Sequence, residues 1–403
     1  MENDRTPPHP CAALVSPVRP HYPIIVHSHL GWDWVWQRPQ QFLSRLSRQH
    51  RILFIEAPFP SDTVREPRAL LSPAPDYPNI TLLRTPFPQA RWHERAWVDA
   101  QRRRLVQSLL AGRFGERFRD PVQWFYDPMA VPAFGGQLGE IAIVYDCMDE
   151  LSQFKGAPPE LVQCERQLLA IADVVFAGGL KIHRAKSSHH ANCHAYGCGV
   201  DEPHFALARN GSAVVPADIA HLRGPVLGFF GVVDERMDYE LVAKLADADP
   251  SWNLVMVGPR TKVEASVLPK RSNIHWTGGR AYTQLPHYAS RFDVCLMPFA
   301  LNAATEYINP TKALEYMACG RPVVSSAIED VVAQFSHVAS VAATHDEFIA
   351  LCRRALREPE SERLERGIEM ARKHSWEAIV QKLEHHIDAV LAARKNQAEG
   401  DAA

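Results

Sequence analysis

Short, unbroken apolar runs alternate with longer amphipathic ones along most of this chain. The strand-like runs fall at 22–28, 51–55, 80–84, 122–126, 141–145 and 173–177, with helix-like stretches near 37–49, 90–111 and 158–172 between them. Unbroken apolar strands separated by helices predict a parallel sheet covered on both faces. The rhythm breaks at 207–224, where Asn210-Gly211-Ser212 and Gly224-Pro225 are turn sequences. It then restarts, with apolar runs at 225–230, 252–258, 292–297 and 322–324 and helical runs at 237–247, 283–291, 311–319 and 345–357. Residues 360–395 read as helical, and Trp376 to Leu391 is amphipathic. The pattern predicts an α/β chain of two doubly wound domains: a proline-rich leader (1–21), a first domain (22–206), a linker (207–224), a second domain (225–375) and a final helix with its tail (376–403). Such sheets bind ligands beyond the carboxyl ends of their strands, so the site is expected in the cleft where the two face.

Composition narrows this little. The 44 basic and 46 acidic side chains leave a net charge of −2, which argues against bulk nucleic-acid binding. The eight cysteines are scattered without a Cys-x-x-Cys pair, so reduced, mostly buried thiols are expected rather than disulfides. The leader lacks an apolar core, which argues against a signal peptide, and no run is long enough to span a bilayer. The expected location is the cytoplasm.

The most informative segment is Glu306-Tyr-Ile-Asn-Pro-Thr-Lys-Ala-Leu-Glu-Tyr-Met-Ala-Cys-Gly-Arg-Pro-Val-Val324. Asn309 is a favoured N-cap, Pro310 a favoured first helical residue and Gly320 a favoured stop. The helix start, with Thr311 in its first turn, would aim free N–H groups at an anion, and Lys312 adds a full charge beside it. A lysine there opposes the helix dipole, and a ligand anion resolves the conflict. Glu315 lies on nearly the same face and can accept hydrogen bonds from vicinal hydroxyls such as those of a ribose. The plain alternative is a Lys312–Glu315 surface pair. Upstream, Gly228-Phe-Phe-Gly-Val-Val-Asp-Glu-Arg-Met-Asp238 reads as a strand that ends near Gly231, followed by an arginine at the cleft. Arg236 offers a planar fork to phosphate, with a surface pair to Asp238 or Glu235 as the alternative.

These segments resemble the donor domain of GT-B-fold retaining glycosyltransferases of family four, in which two Rossmann-like domains face across a cleft. The resemblance covers most of the chain. It implies transfer of a hexose-type sugar from a nucleotide diphosphate sugar, UDP by family frequency, to a glycan or lipid-linked acceptor with retention. No metal or other cofactor is implied. By the resemblance Glu315 binds the donor ribose, and Arg236 and Lys312 hold the diphosphate. Gly231, Asn309, Pro310 and Thr311 line the donor site, and Tyr282 lies near the nucleobase. The first glutamate of the signature falls at Tyr307. Glu306, one place early, takes its role if the turn before Pro310 is one residue longer; otherwise Asn309 and backbone groups do. The final helix is expected to cross back to the first domain. Asp247-Ala-Asp249 reads as a turn at a helix end, away from the site.

In the first half, His29-Leu-Gly-Trp-Asp-Trp-Val-Trp-Gln-Arg-Pro-Gln40 follows the first strand. Gly31 is read as a strained turn open to a ligand, and Arg38-Pro39 as a second anion-friendly helix start. Trp32, Trp34 and Trp36 alternate, which suits sugar stacking or packing over the sheet edge. The form Trp-Asp-x-x-x-Gln-Arg-Pro-Gln resembles a bacterial subgroup working on surface polysaccharides. Asp149, with Asp146 before it, is expected to orient the hexose or the acceptor hydroxyl, unless these residues cap a helix. The His/Cys run 187–198 fits no standard zinc spacing. Arginines between 91 and 119 suggest a face for an anionic membrane, or a solvated helix face. A nucleotide-sugar epimerase on the same fold, or a non-catalytic GT-B binding module, are the competing readings.

Overall fold

The computed structural model describes residues 22–302, 305–308, 311–358 and 360–401. Asn309 and Pro310, and the leader 1–21, lie outside the described residues. The strands in chain order are β1 (Ile24–Ser28), β2 (Ile52–Glu56), β3 (Phe59–Ser61), β4 (Leu70–Ala74), β5 (Tyr77–Arg84), β6 (Pro86–Pro88), β7 (Val122–Phe125), β8 (Ala142–Cys147), β9 (Val174–Ala177) and β10 (Cys193–Ala195). They continue with β11 (Val226–Phe230), β12 (Asn253–Val257), β13 (Ile274–Gly278), β14 (Val294–Met297), β15 (Val323–Ser326) and β16 (Ser340–Ala342).

Two sheets organise the chain among the described residues. The first has the order β10-β9-β8-β7-β1-β2-β5-β4, parallel throughout except where β4 pairs antiparallel with β5. The second, fully parallel, has the order β13-β12-β11-β14-β15-β16. The strands of apolar run are buried on both faces, as β1, β7, β8, β9, β11 and β14 show. That is why their sequences carry no polar alternation. Strands that sequence reading missed lie where burial is partial, except β6, which is buried but only three residues long. They are the edge strands β4, β10, β13 and β16 and the separate pair β3–β6, whose residues do not form unbroken apolar runs.

In each sheet the chain winds outward from a central strand and then reverses. The switch lies between β1 and β7 in the first sheet and between β11 and β14 in the second. Loops leaving adjacent strands at such a point part and open a crevice. In the second sheet the two loops are stitched together: Ala300 N donates to Arg236 O (2.9 Å) and Asp238 N to Pro298 O (2.9 Å). The final helix, Trp376–Asp401, returns to the first lobe. Trp376, Val380, Leu383 and Ile387 share one buried cluster with Ile24, Val26, Phe42 and Trp124. Polar contacts flank that seam, a hydrogen bond between His50 and Glu384 (3.0 Å) and an ion pair between Arg45 and Glu377 (2.7 Å). Ordinary close packing of one amphipathic face thus ties the final helix to the first lobe.

Candidate functional site

The second lobe's crevice starts at the end of β11. Gly231 has φ +147° and Gly258, at the end of β12, has φ +150°. A Cβ on Gly258 would lie 1.7 Å from the Gly231 carbonyl oxygen, so only glycine lets the two strand ends approach. A Cβ on Gly231 would lie 2.0 Å from Lys312 Cε, because the lysine side chain crosses directly over that backbone. Lys312 opens the helix Lys312–Ala318. It makes no hydrogen bond or ion pair with the described residues, and its Nζ stands 5.8 Å from the centre of the Phe229 ring. Burial lowers its pKa, Glu315 pulls it back up, and Arg236 lowers it further.

Glu315 is 9% exposed, and its carboxylate has no hydrogen-bond partner among the described residues. Burial pushes its pKa up to about 7, opposed by Lys312. The two groups interact without forming a contact ion pair, so the surface-pair alternative does not describe them. Arg236 is held by Asp234, with Nε 3.0 Å from one carboxylate oxygen and Nη2 2.7 Å from the other. Its partner is therefore neither Asp238 nor Glu235. Asp238 caps the helix Tyr239–Ala248 through Leu241 N (2.8 Å), and Glu235 accepts from Lys155 N of the first lobe (3.2 Å). Nη1 of Arg236 is left without a partner among the described residues.

From the first lobe, Asp149 follows β8 and comes close enough to feel this charge. Burial raises its pKa, while Arg236, His29 and Arg38 pull it down and Asp234 raises it. Asp149, Arg236, Lys312 and Glu315 therefore converge across the cleft, with Gly231 beneath the lysine.

Other expected site residues are placed differently. Arg38 is buried and closed off, with Nε 2.9 Å from Asp146, Nη2 2.8 Å from the same carboxylate and Nη1 2.7 Å from the Tyr196 carbonyl. It is an internal structural cation rather than a ligand for donor phosphate, because Asp146 of β8 and the carbonyls of Tyr196 and Gly197, just after β10, face its buried fork. Gly31 is not in a positive-φ conformation, and a Cβ there would meet the Glu56 carboxylate at 3.6 Å, an ordinary contact. The strained-turn reading of Gly31 is thus overturned. Glu306 points at the first lobe and pairs with Lys181 (2.8 Å), which also binds Glu329 (2.9 Å). Tyr307, next to it, packs against the first lobe's core and carries Lys181 over its ring at 5.2 Å. Glu306 is therefore committed to an interlobe pair rather than free to act on a sugar. Thr311 donates to Cys198 Sγ (3.0 Å), which commits its hydroxyl to the first lobe. Tyr282 stacks on His204 (4.6 Å between centres) and accepts from Gln41 (3.3 Å), an interlobe contact.

Trp32 is buried against Phe54 and Tyr77, Trp36 stacks on Tyr77, and Trp34 is exposed. Most of this motif serves packing over the sheet edge. Asp146 serves Arg38 and caps nothing. Asp247 pairs with Arg271 (2.6 Å), and Asp249 caps the Ser251 turn (2.9 Å). His190 and His183 bond backbone carbonyls, and His194 stacks on His386 at 3.7 Å. Among the described residues no His, Cys, Asp and Glu side chains gather into a metal-binding group. Of the arginines at 91–119, Arg91 pairs with Glu94, Arg95 and Arg102 with Asp99, and Arg103 binds the carbonyls of Pro132 and Ala133. Arg104, Arg113, Arg117 and Arg119 remain exposed. No helix of the described residues is long and apolar enough to cross a membrane.

Sequence reading missed Asp234, Lys181 and Asp330. Asp330 accepts from Leu180 N (2.9 Å) and Lys181 N (3.3 Å) across the cleft. Asp234 was legible in principle, two residues before the arginine it grips. Nothing local marks Lys181 or Asp330, which meet only through the packing of the lobes.

Residues 224–358 match the family model described as Glycosyl transferases group 1. Over 106 residues the chain is 31% identical to the putative teichuronic acid biosynthesis glycosyltransferase TuaH of Bacillus subtilis (strain 168), covering 26% of this chain. The match spans 27% of that relative's length, about a quarter. Among solved structures, sucrose-phosphate synthase from Thermosynechococcus elongatus superposes with a TM-score of 0.67 at 17% identity, covering 92% of this chain and 100% of that one. An E. coli protein solved with UDP-2-fluoro glucose gives 0.66 at 14% identity, covering 91% and 98%. The UDP-forming alpha,alpha-trehalose-phosphate synthase from Burkholderia xenovorans, solved with glucose-6-phosphate, gives 0.68 at 12% identity, covering 91% and 100%. At such identities the likeness concerns the fold. This chain has the two-lobed GT-B fold, and its second lobe carries the pattern of the group 1 glycosyl transferases.

Proposed function

We propose that this protein is a glycosyltransferase that moves a hexose-type sugar from a nucleotide diphosphate sugar to a glycan or lipid-linked acceptor. The observation that carries the reading is the convergence at the end of β11. Among the described residues, Lys312 lies over Gly231 without a partner, Arg236 is anchored with one nitrogen unbonded, and Glu315 is buried without a hydrogen bond. An unpaired lysine and an arginine with one outward nitrogen, beside a buried carboxylate, suit a diphosphate followed by a ribose. As the bond between the anomeric carbon and the diphosphate oxygen breaks, charge grows on that oxygen, and fixed cations there stabilise the transition state. With these cations in place the reaction needs no divalent metal. The acceptor oxygen bonds to the anomeric carbon from the face the diphosphate leaves, and its proton passes to the leaving phosphate, so configuration is retained. Asp149, across the cleft, orients the sugar or the acceptor hydroxyl.

UDP is the nucleotide named with two of the solved proteins that share the fold, and it is the donor proposed here. The likeness to TuaH points to a surface polysaccharide as the product's destination. The protein works in the cytoplasm, and the four exposed arginines of 104–119 give it a weak peripheral contact with anionic lipid.

A thermal-shift panel of UDP, GDP, ADP and their sugars tests the donor site. A ligand at a hundredfold its Kd stabilises by about 2.7 kcal/mol. No shift with any nucleotide diphosphate sinks the reading. The commitment of Glu306 to Lys181 supports one competitor, a GT-B module that binds nucleotide without turnover. Release of free UDP on adding acceptor extracts to UDP-sugar excludes that competitor, and conversion of donor alone identifies an epimerase.

A further inference from the structure

Arg236 is the donor-site cation whose neighbours come from both lobes. Asp234 grips its Nε and Nη2 edge from the same loop. From the first lobe, the Phe154 ring stands 5.7 Å from its guanidinium carbon. Phe154 ends the short turn Leu151–Gln153, in the same loop as Asp149. Its other cationic neighbour is Lys262, whose Nζ is 4.7 Å from the ring centre. Lys262 holds φ at +57°, a left-handed backbone that a lysine keeps only when its surroundings over-determine it. Next in sequence, Lys155 N donates to Glu235 Oε1 (3.2 Å), and Lys262 Nζ approaches Glu235 at 4.0 Å. Two consecutive first-lobe residues thus touch three members of the second lobe's phosphate-side loops.

We propose that Phe154 is a positioning residue for Arg236: a side chain of the first lobe that sets the diphosphate cation of the second, so that donor binding is strongest when the lobes are closed. The inference rests on the donor-site reading of Arg236. Asp234 restrains one edge of the guanidinium, but a single carboxylate leaves the plane free to swing about that edge. A ring face beside the plane limits the swing and favours the charge. The free Nη1 is then held in one direction. The loop that carries Phe154 also carries Asp149, so closure brings the acceptor-side carboxylate and the donor-side cation into register together.

The test uses the full chain and isothermal titration with UDP, pyrophosphate and uridine. Phe154→Leu should weaken UDP and pyrophosphate about three- to tenfold, the size of one partly desolvated cation–π contact. Uridine should be unaffected, and Phe154→Tyr should stay within about twofold of wild type. In an Arg236→Ala background, Phe154→Leu should add nothing further, the mark of action through that residue. The inference alone is overturned if wild type binds UDP and pyrophosphate while Phe154→Leu binds them equally well. It is also overturned if the loss extends equally to uridine, or persists without Arg236. A wild-type chain that binds neither UDP nor pyrophosphate overturns the donor reading and this inference together.

Discussion

Arg38 and Lys312 begin as the same signal, a basic residue in the first turn of a helix that opens toward the cleft, and the fold gives them opposite fates. Arg38 meets Asp146 from β8 and the carbonyls of Tyr196 and Gly197, and every nitrogen of its fork is close to an acceptor. Lys312 meets Gly231, a residue with no side chain, and no acceptor among the described residues. One cation is neutralised internally and stabilises the first lobe. The other is buried with no ion-pair partner among the described residues, which costs stability and lowers its pKa. What separates a paired cation from one left open is what the adjacent strand end puts opposite it.

The comparison breaks if the two residues respond alike to removal. Arg38→Ala leaves the buried Asp146 uncompensated, and should cost about 3–5 kcal/mol of stability. Replacing both partners by Met and Leu should recover most of that loss in urea unfolding. An exposed-residue effect, within about 0.5 kcal/mol, would show that the pair is not buried as described. Lys312→Ala should do the reverse, lowering kcat/KM for sugar transfer by roughly a hundred- to a thousandfold with the melting temperature unchanged or raised. Near-normal kinetics in this variant would remove the lysine from the diphosphate site.

Glu315 sharpens the contrast through pH. Its folded pKa, about 7, lies above the usual carboxylate value of 4.5, so the folded chain favours the protonated form. Between those values rising pH charges a buried group and stability falls; above them the penalty is complete. Glu315→Gln should therefore raise stability by roughly 3 kcal/mol at alkaline pH and leave it unchanged below the usual carboxylate value. In wild type, UDP should bind more weakly as pH falls below about 7, because a protonated carboxyl accepts ribose hydroxyls poorly. Calorimetry across that range checks both, and a flat UDP affinity would detach Glu315 from the ribose. The smallest effect belongs to the exposed arginines. Changing Arg104, Arg113, Arg117 and Arg119 to glutamine should move stability by less than about 0.5 kcal/mol. Flotation on anionic vesicles should fall in that variant, and wild-type binding that is equal on neutral and anionic vesicles refutes the peripheral contact.

The central strands of both sheets and the helix that runs back to the first lobe were legible from residue pattern, since burial on both faces leaves an unbroken apolar signature in β1, β7, β8, β11 and β14. So were the positions of Arg236, Lys312 and Glu315 near one strand end, because they follow local strand, turn and helix signals. The partners of charged groups were not legible. Arg38 was read as a phosphate ligand and Glu306 as the signature's first glutamate, yet one is answered by Asp146, 108 residues later, and the other by Lys181 of the opposite lobe. Local sequence dictates backbone path and which face is apolar, through short-range sterics and burial. Whether a charge is spent or free depends on what distant strand ends bring within a few ångströms, and only the packed lobes decide that.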